Sequence, residues 1–307
     1  MTGSTQPVSR LAAPHPGGHG GDGWKLAAAL GIDARQVLDL SASLNPVAPD
    51  PVPVVAAHLG AVRSYPDPAR AEAALAECMG IDRDRLVLTN GGAEAIALVA
   101  QWRPEGWVDD PEFSLYRRHL GRIRAGAPRW RSNPHNPTGL LAPVGETAAV
   151  WDEAFWPLAT GSWTRGDPGA TVVGSLTKLL ACPGLRLGYV LCPDADTASA
   201  IRARRPGWSV NGPAAAALPD LLAPVDLAAW SKAVSDLRRD LDSVLRAAGY
   251  RPRASDANWL LVDAPGLRDR LARAAICVRD CTSFGLAATV RIAVPGPDGL
   301  ARLEAAL

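Results

Sequence analysis

The stretch of sequence that decides the fold is Ser175-Leu176-Thr177-Lys178, followed by Pro183-Gly184-Leu185-Arg186-Leu187-Gly188. It comes after the β-prone run Thr171-Val172-Val173, so a hydroxyl, a lysine amine and an arginine share one turn after a predicted strand. The amine can form a Schiff base with an aldehyde, while the hydroxyl and the guanidinium can hold a phosphate. The combination predicts a site for pyridoxal 5'-phosphate (PLP), although an isolated S-x-x-K also occurs by chance in ordinary loops.

A second segment predicts an anion site at the start of a helix. The β-prone run Arg85–Asn90 leads into Gly91-Gly92-Ala93-Glu94-Ala95-Ile96-Ala97-Leu98, a pattern typical of a strand, a glycine turn and a helix. The first turn of a helix offers unpaired N–H groups to an anion, and glycines let the backbone approach it closely. Because a strand, two glycines and a helix are also a common way to turn a corner, this segment needs support from the others.

Two further segments predict partners for an aromatic ring. Asn133-Pro134-His135-Asn136-Pro137-Thr138-Gly139 predicts an extended loop with an amide at its centre, able to donate to a phenolate-type oxygen. In the segment Ala148–Phe155 an apolar strand ends in Asp152, at the end where ligands of α/β sheets bind. A buried carboxylate is costly without a cation, and a protonated pyridine nitrogen would supply one.

The motifs N-x-x-N-P-T-G, D-E-A-F and S-L-T-K-x-x-x-x-P-G-L-R-x-G together resemble those of the class I and II aminotransferase family, the fold-type-I PLP enzymes. The resemblance runs from about Gly17 to Val294. It implies that Lys178 forms the Schiff base, that Asp152 keeps the ring nitrogen protonated and that Asn136 hydrogen-bonds the ring hydroxyl. The other implied cofactor contacts are Gly92, Ala93, Ser175 and Arg186 on the phosphate, Phe113 on the ring face, and Tyr65 on the phosphate of a second subunit. The expected assembly is therefore a homodimer with shared active sites.

The resemblance also implies substrate ligands. Arg291 would grip a substrate carboxylate and Arg279 a substrate phosphate. Gly18 lies in a glycine-rich run that resembles the segment over the substrate entrance, and Asn45 lies in a segment, Leu38–Pro46, that resembles the family's decarboxylases; both are expected to contact the substrate. No acid within Thr289–Val294 could pair with Arg291, and a buried charge needs a partner. Taken alone, Arg186 could be a surface residue, Phe113 a core residue and Tyr65 a packing residue.

The reaction is harder to infer than the cofactor. Phe155 stands where many transaminases have a tyrosine that hydrogen-bonds the ring oxygen, and the phenylalanine matches the pattern of the family's decarboxylases. Arg279 and the glycine-rich run at 15–21 fit a phosphorylated substrate, so the expected reaction is decarboxylation of a phosphorylated amino acid. An aminotransferase of the histidinol-phosphate type is the alternative within the family. A PLP-binding protein that has lost turnover is a third hypothesis.

One departure from the family pattern is serious. Only 12 residues separate Gly139 from Asp152, too few for a strand and an average helix, although parallel neighbours usually need a helical crossover. The sequence therefore predicts that one helix of the large domain is missing. The segment between Phe113 and Asn133 is also short, with one predicted helical stretch, Leu115–Arg124.

Composition excludes several other classes. A net charge of +1 over 307 residues gives no reason to expect binding to nucleic acid or to an anionic membrane. No run approaches the ~20 apolar residues of a membrane span, and the first 25 residues lack the apolar region of a signal peptide. The five scattered cysteines indicate a reduced, cytoplasmic environment, and Cys277 and Cys281 have no histidine cluster nearby to make a metal site.

The predicted fold class is α/β, with a mostly parallel sheet sandwiched by helices and a smaller α+β domain. The predicted divisions are an N-terminal arm at 1–44 that joins the small domain, a PLP-binding domain at 45–212 and a small domain at 213–307. Predicted helices and strands are as follows: helices Ala69–Met79, Ala93–Gln101 and Leu227–Ala248; strands Leu86–Thr89, Val172–Gly174, Leu187–Cys192, Trp259–Val262 and Thr289–Val294.

Overall fold

The computed structural model describes residues 13–307. The strands are β1 Leu38–Leu40, β2 Leu86–Asn90, β3 Glu105–Val108, β4 Arg122–Ile123, β5 Arg129–Ser132, β6 Val150–Asp152, β7 Thr171–Ser175, β8 Leu187–Leu191, β9 Trp259–Asp263, β10 Ile276–Asp280 and β11 Thr289–Ala293. The α-helices are α1 Gly23–Leu30, α2 Val52–Ala57, α3 Ala69–Met79, α4 Gly91–Trp102, α5 Ser114–His119, α6 Trp156–Thr160, α7 Leu176–Leu179, α8 Ala195–Arg202, α9 Gly212–Leu222, α10 Leu227–Ala247, α11 Leu267–Arg273 and α12 Pro297–Ala306.

The chain divides into two compact units. The large unit comprises residues 44–235 and 256–258, and the small unit comprises residues 13–43, 236–255 and 259–307. Residues 213–235 therefore belong to the large unit, although the sequence assigned them to the small domain. The reason is packing, because α9 buries Ala214, Leu218 and Leu221 in the same core as Leu75 of α3.

A seven-stranded sheet forms the centre of the large unit, in the order β2-β8-β7-β6-β5-β3-β4. The strands from β7 to β4 run parallel, and β8 is antiparallel to both of its neighbours, β2 and β7. One face of the sheet packs on α3 and α9, and the other packs on α4, α5 and α8. The mostly parallel sheet between helices confirms the predicted fold class.

The small unit contains a four-stranded sheet in the order β1-β10-β11-β9. Its apolar face, with Val262, Ile276 and Ile292, packs on Leu241 and Leu245 of α10. Helices on one face of a mixed sheet are the α+β arrangement that the sequence predicted.

The predicted helical stretch Leu115–Arg124 is only partly correct. Helix α5 ends at His119, and the chain then forms the edge strand β4 beside β3. The backbone N–H groups of Arg122 and Arg124 donate to carbonyls of Pro104 and Gly106. Pairing with the sheet edge therefore wins over helix propensity in these residues.

The structure has no helix between β5 and β6, a region that it describes in full, as the spacing predicted. A polar loop covers this part of the sheet instead. Glu146 from the loop bonds two arginines on β5, Arg129 at 2.7 Å and Arg131 at 2.6 Å. The guanidinium of Arg165 lies 4.8 Å from the ring centroid of Trp151 on β6. Ion pairs and a cation–π contact thus replace the apolar face of a helix.

Within residues 13–307, no helix is both long enough and apolar enough to cross a membrane.

Candidate active site

The predicted site residues of the large unit follow from strand ends that lie side by side. Asp152 ends β6, Ser175 ends β7, and Ser132, which leads into the Asn136 loop, ends β5. In the sheet register Ser132 pairs with Asp152, and Ser175 pairs with Gly188 at the start of β8. Neighbouring strands are about 4.8 Å apart, so these residues lie side by side at one end of the strands.

The turn from β2 into α4 forms a cradle beside a guanidinium. Gly91 has a φ of +79°, and a Cβ built on it would lie 2.6 Å from Nη2 of Arg186. A Cβ on Gly92 would lie 3.5 Å from the Cβ of Ser175. Arg186 itself has a φ of +56°, an uncommon conformation for a residue with a side chain. The fold thus brings Gly92, Ser175 and Arg186 together at the first turn of a 12-residue helix, with Ala93 as the next residue.

A phenol holds the buried acid Asp152. Tyr116 Oη donates to Asp152 Oδ2 at 2.7 Å, and the N–H of Ala154 donates to Oδ1 at 3.0 Å. Burial raises the pKa of Asp152, and these two hydrogen bonds act in the opposite direction. A cation next to this carboxylate would favour its ionised form further, as the predicted pairing with a pyridinium requires.

Lys178 lies in α7, the single helical turn that follows β7. Its Nζ is 6.0 Å from the ring centroid of Phe155, a buried side chain that has no hydroxyl. The Lys178 carbonyl accepts from the N–H of Asn45 at 3.0 Å, and the Asn45 side chain donates to the Leu179 carbonyl at 2.9 Å. Asn45, predicted as a substrate ligand, therefore holds the backbone of the lysine turn.

The Asn136 loop is anchored by a buried serine and a buried acid. The backbone N–H of Asn136 donates to Ser132 Oγ at 2.7 Å. Ser132 in turn donates to Glu112, from Oγ to Oε2 at 2.5 Å and from N to Oε1 at 2.9 Å. Burial raises the pKa of Glu112 to about 7.

Two predicted aromatic contacts have different surroundings. The ring of Phe113 meets that of Tyr116 edge to face, with centroids 5.8 Å apart. Tyr65 is 79% exposed, and its ring lies 4.7 Å from that of Trp208. The exposure of Tyr65 leaves its hydroxyl accessible to a second subunit.

The small unit places two predicted substrate ligands side by side. Arg279 on β10 and Arg291 on β11 are paired in the antiparallel register, and both are buried. Arg279 donates from Nη1 to the Gly17 carbonyl and from Nη2 to the Gly18 carbonyl, each at 2.7 Å. Arg291 lies over the ring of Trp259 at 4.8 Å. Burial and, to a smaller extent, the charge of Arg279 lower the pKa of Arg291 to about 10.

Sequence reasoning missed three residues of the large unit: Glu112, Tyr116 and Ser132. Glu112 directly precedes the predicted Phe113, but only the register of β5 against β6 brings Ser132 level with Asp152. The available signal was spacing along one helical turn, since Tyr116 follows Phe113 by three residues.

The residues present fit the predicted cofactor. The donor set combines an amine (Lys178), a buried acid (Asp152), an amide loop (Asn136) and an anion site built on a helix N-terminus with an arginine. The cradle at Gly91 fits the anion site in particular, because a side chain there would fill the space beside the guanidinium.

Comparison with known proteins agrees with this geometry. The family model described as aminotransferase class I and II matches residues 130–303. Threonine-phosphate decarboxylase from Salmonella typhimurium is 31% identical, over 87% of this chain and 88% of that protein. Histidinol-phosphate aminotransferase from Symbiobacterium thermophilum is 28% identical, over 90% of this chain and 91% of that protein.

A solved structure shows the same fold. Histidinol-phosphate aminotransferase from Sinorhizobium meliloti, in complex with pyridoxal-5'-phosphate, superposes with a TM-score of 0.80 at 20% identity, covering 99% of this chain and 98% of that chain. The fold is therefore that of the fold-type-I PLP enzymes. Sequence match, relatives and fold agree, and the chain belongs to the class I and II aminotransferase family.

Proposed function

We propose that this chain is a PLP-dependent decarboxylase of L-threonine O-3-phosphate, which yields aminopropanol phosphate for the side chain of cobalamin. The cofactor is PLP. When bound, it supplies an electron sink, which takes up the electron pair left behind when a bond to the amino-acid α carbon breaks. The threonine-phosphate decarboxylase at 31% identity supports this choice.

The residues of the large unit would hold and tune the cofactor. Lys178 would bind it covalently through its amine, and Asp152 would keep a proton on the ring nitrogen. Asn136 would donate to the ring oxygen. The first turn of α4, with Ser175 and Arg186, would hold the phosphate, because helix N–H groups and a guanidinium both favour anions.

The observation that carries the choice of substrate is the pair of buried arginines, Arg279 and Arg291, on neighbouring strands. Two adjacent buried cations repel each other, and a ligand with two anionic groups would relieve that repulsion. L-Threonine O-3-phosphate carries a carboxylate and a phosphate on one small molecule. A substrate fixed at both groups would keep one α-carbon bond in a set orientation, and this orientation selects the bond that breaks.

Phe155 favours decarboxylation over amino transfer. The Lys178 amine faces an apolar ring at this position. A transaminase tyrosine there would donate to the ring oxygen and lower the pKa of the lysine-bound cofactor.

The second candidate is an aminotransferase of the histidinol-phosphate type. It is favoured by the 28% identity to histidinol-phosphate aminotransferase over most of the chain. Its phosphorylated substrate has no carboxylate, so only one of the two arginines would have an anion to bind at that step. A third possibility, a chain that binds PLP without turnover, rests on the helix absent between β5 and β6.

We further propose a homodimer in which Tyr65 reaches the cofactor phosphate of the other subunit. Three exposed apolar side chains, Val52, Leu59 and Val62, precede this tyrosine in the sequence, and the ring of the exposed Trp208 lies 4.7 Å from its own. An apolar groove between α2 and the turn Ala181–Leu185 adds to this surface. The five free cysteines fit a reduced compartment, and we assign the reaction to the cytoplasm.

One experiment separates these functions. The purified protein is incubated with PLP and L-threonine O-3-phosphate, and released carbon dioxide is measured against amino transfer to 2-oxoglutarate. Carbon dioxide without transfer supports the decarboxylase, and transfer supports the aminotransferase. The visible absorbance of bound cofactor with neither product supports a chain without turnover. Lys178→Ala should abolish that absorbance, and its persistence would contradict the role of the lysine.

A further inference from the structure

One edge of the seven-stranded sheet is strand β2, which pairs with β8 alone within the described part of the chain. The N–H of Cys192, just after β8, donates to the carbonyl of Arg85, just before β2. Because backbone groups alternate in direction along an antiparallel strand, those of Leu86, Leu88 and Asn90 point away from β8. We call these outward backbone groups the β2 edge. An edge of this length is a template on which another strand can pair.

Two arginines donate to the outward carbonyls of β2. Arg202 Nη2 donates to the Leu86 carbonyl at 2.8 Å, and Arg205 Nη1 donates to the Leu88 carbonyl at 2.6 Å. Arg202 is the last residue of α8, and Arg205 lies three residues further along the chain. The segment after α8 therefore runs beside β2 and places one guanidinium at each of two successive outward carbonyls.

A buried acid from α3 covers the central N–H group of the same edge. Glu72 Oε1 accepts from the N–H of Leu88 at 3.1 Å and from Arg205 Nη1 at 2.9 Å. The single guanidinium nitrogen thus bonds both the carboxylate and the Leu88 carbonyl. Together the two side chains satisfy both outward groups of Leu88, as a neighbouring strand would do.

The outward N–H groups near the two ends of β2 also have partners. Glu94 Oε2, from α4, accepts from the N–H of Asn90 at 2.6 Å and from Ser209 Oγ at 3.0 Å. The N–H of Leu86 donates to the carbonyl of Arg83 in the preceding turn. Each outward N–H group of β2 is therefore bonded to a group outside the sheet.

The chemistry of this cover suits the blocking of strand pairing better than it suits stability. The side chains of Arg205 and Glu72 are only 15% and 7% exposed. A buried ion pair gives little stability beyond that of apolar side chains, because both charges lose their hydration. Apolar side chains here would leave the outward groups of Leu88 open to another strand. The opposite edge of the sheet, β4, has only two residues, and short edge strands are poor templates.

We propose that the β2 edge is a surface for strand pairing with a second copy of this chain, and that Glu72, Arg202 and Arg205 keep it closed. A second copy fits because β2 is complementary to itself. Two Leu88 residues related by a twofold axis would lie opposite each other in an antiparallel pair and exchange both of their outward bonds. The sequence Leu86-Val87-Leu88-Thr89 is rich in residues that favour strands. The closed edge restricts association between copies to other surfaces of the chain.

The first test removes the two guanidinium groups from the purified full-length protein, supplied with PLP. Sedimentation velocity is measured over a range of protein concentrations. The double variant Arg202→Ala and Arg205→Ala should contain about tenfold more of the species larger than the wild-type particle, in a proportion that rises with concentration. Arg204→Ala is the matched control, because Arg204 lies in the same segment but donates to the carbonyl of Ala200 in α8. It should sediment like the wild type.

Hydrogen exchange at the Leu88 amide separates strand pairing from aggregation of unfolded chains. In dilute Glu72→Ala this amide has lost its acceptor, and we expect it to exchange about tenfold faster than in the wild type. Pairing of two β2 edges should slow the exchange again as the protein is concentrated. The amide of Val87 faces β8 and should stay protected throughout. Glu72→Gln keeps an oxygen that can accept both bonds, so it should behave like the wild type.

Three results would overturn the proposal. One is a double variant that sediments like Arg204→Ala at every concentration. Another is association of Glu72→Ala without renewed protection of the Leu88 amide. The third comes from Val234→Ala, which removes buried apolar volume in α10 and cannot change a hydrogen bond to β2. If this variant associates as much as the double variant at equal stability, association results from unfolding rather than from the open edge. If the double variant does not fold, the contrast between Glu72→Ala and Glu72→Gln decides.

Discussion

At the scale of single residues, Gly91 is suited to its position in two ways: its backbone conformation favours glycine, and a side chain there would displace a proposed phosphate ligand. Its positive φ favours glycine, and the space beside it is filled by the guanidinium of Arg186. A methyl group at Gly91 would force that guanidinium to move away from the first turn of α4. The effect of backbone strain can therefore be separated from the effect on cofactor binding by making the same substitution at a second glycine, one that has the same φ but no atoms near its Cβ position.

We predict that Gly91→Ala weakens PLP binding about tenfold or more, because it displaces a phosphate ligand and adds about 1 kcal/mol of backbone strain. Gly126→Ala is the matched control, since Gly126 also has a φ of +79° and nothing lies within 4 Å of its Cβ position. Fluorescence or absorbance titration with PLP measures the affinity, and thermal unfolding of the cofactor-free proteins measures the strain. Equal PLP affinities for the two variants would contradict the placement of the phosphate.

Glu153 gives the protein a pH-dependent stability. Burial raises its pKa from the ordinary 4.5 to about 7, so the folded state holds the proton more tightly than the unfolded chain. The stabilisation is complete below pH 4.5 and is lost as the pH rises through 7. The difference between the two pKa values corresponds to at most about 3 kcal/mol.

We predict that Glu153→Gln reduces the loss of stability between about pH 5 and about pH 8 by roughly 1–2 kcal/mol, because the amide cannot ionise. Urea unfolding of the cofactor-free protein at the two pH values measures this difference. Glu112 contributes a loss of the same sign and remains in the variant, so some pH dependence should persist. An unchanged difference in Glu153→Gln would mean that its carboxyl is not perturbed by folding.

The limits of sequence reasoning are clear at this scale. Lys178, Asp152, Asn136 and Arg186 could be singled out as candidates because each lies in a motif whose residue types match one chemical task. Glu112 and Ser132 could not, since their bond joins residues 20 apart and depends on how two loops and a strand end meet. Their side chains carry no pattern along the sequence that would announce this contact.

At the scale of elements, the sheet face over β5 is polar where a helix would have made it apolar. Glu146 is the centre of that face, because it bonds both Arg129 and Arg131 and is only 16% exposed at its side chain. Removing this carboxylate would leave two partly buried guanidinium groups without the negative charge that compensates for their lost hydration.

We predict that Glu146→Gln lowers the free energy of unfolding by about 1–2 kcal/mol, a value reduced from that of fully buried pairs because solvent reaches this cluster. Glu105→Gln is the matched control. Glu105 also bonds two arginines, Arg122 and Arg124, but at an exposed edge of the sheet, so its loss should have little effect. Chemical unfolding of both variants measures the contrast, and equal costs would show that the cluster over β5 does not replace a helix.

The elements differ in how well the sequence predicts them, for a physical reason. Helix α3 has the predicted bounds, and α10 ends only one residue before its predicted end. Both helices could be predicted because they are long enough to show the apolar periodicity of a helix in the sequence. Strand β6 has three residues and β5 has four, too short for any period to appear. The helical expectation for Leu115–Arg124 failed because pairing of β4 with β3 is a long-range contact.

At the scale of the whole molecule, the small unit is built from three separate segments of the chain. A boundary placed by composition alone must fall between residues that are neighbours in sequence. The true division cuts α10 between Ser235 and Asp236, inside a continuous helix, where composition gives no signal. A return of residues 256–258 to the large unit is equally invisible in the sequence, because it depends on backbone bonds to Gly139.

The assembly of the molecule is tested most sharply by mixing two variants that each lack one residue of the proposed shared site. Tyr65→Ala lacks the proposed phosphate contact, and Lys178→Ala lacks the amine that binds the cofactor. If Tyr65 serves the other subunit, a mixed dimer has one site with both residues intact and one site with neither. If Tyr65 serves its own subunit, every site in the mixed dimer lacks one of the two residues.

We therefore predict that each variant alone is impaired, and that unfolding and refolding them together in equal amounts restores about a quarter of the wild-type sites, as random pairing into twofold dimers requires. Carbon dioxide release and tight PLP binding measure the restored sites. Refolding each variant with itself is the control for recovery. Sedimentation should give about twice the chain mass of 32.2 kDa for all samples. Absence of restored sites in a preparation that sediments as a dimer would place Tyr65 at the cofactor of its own chain, while sedimentation at the mass of one chain would reject the dimer itself.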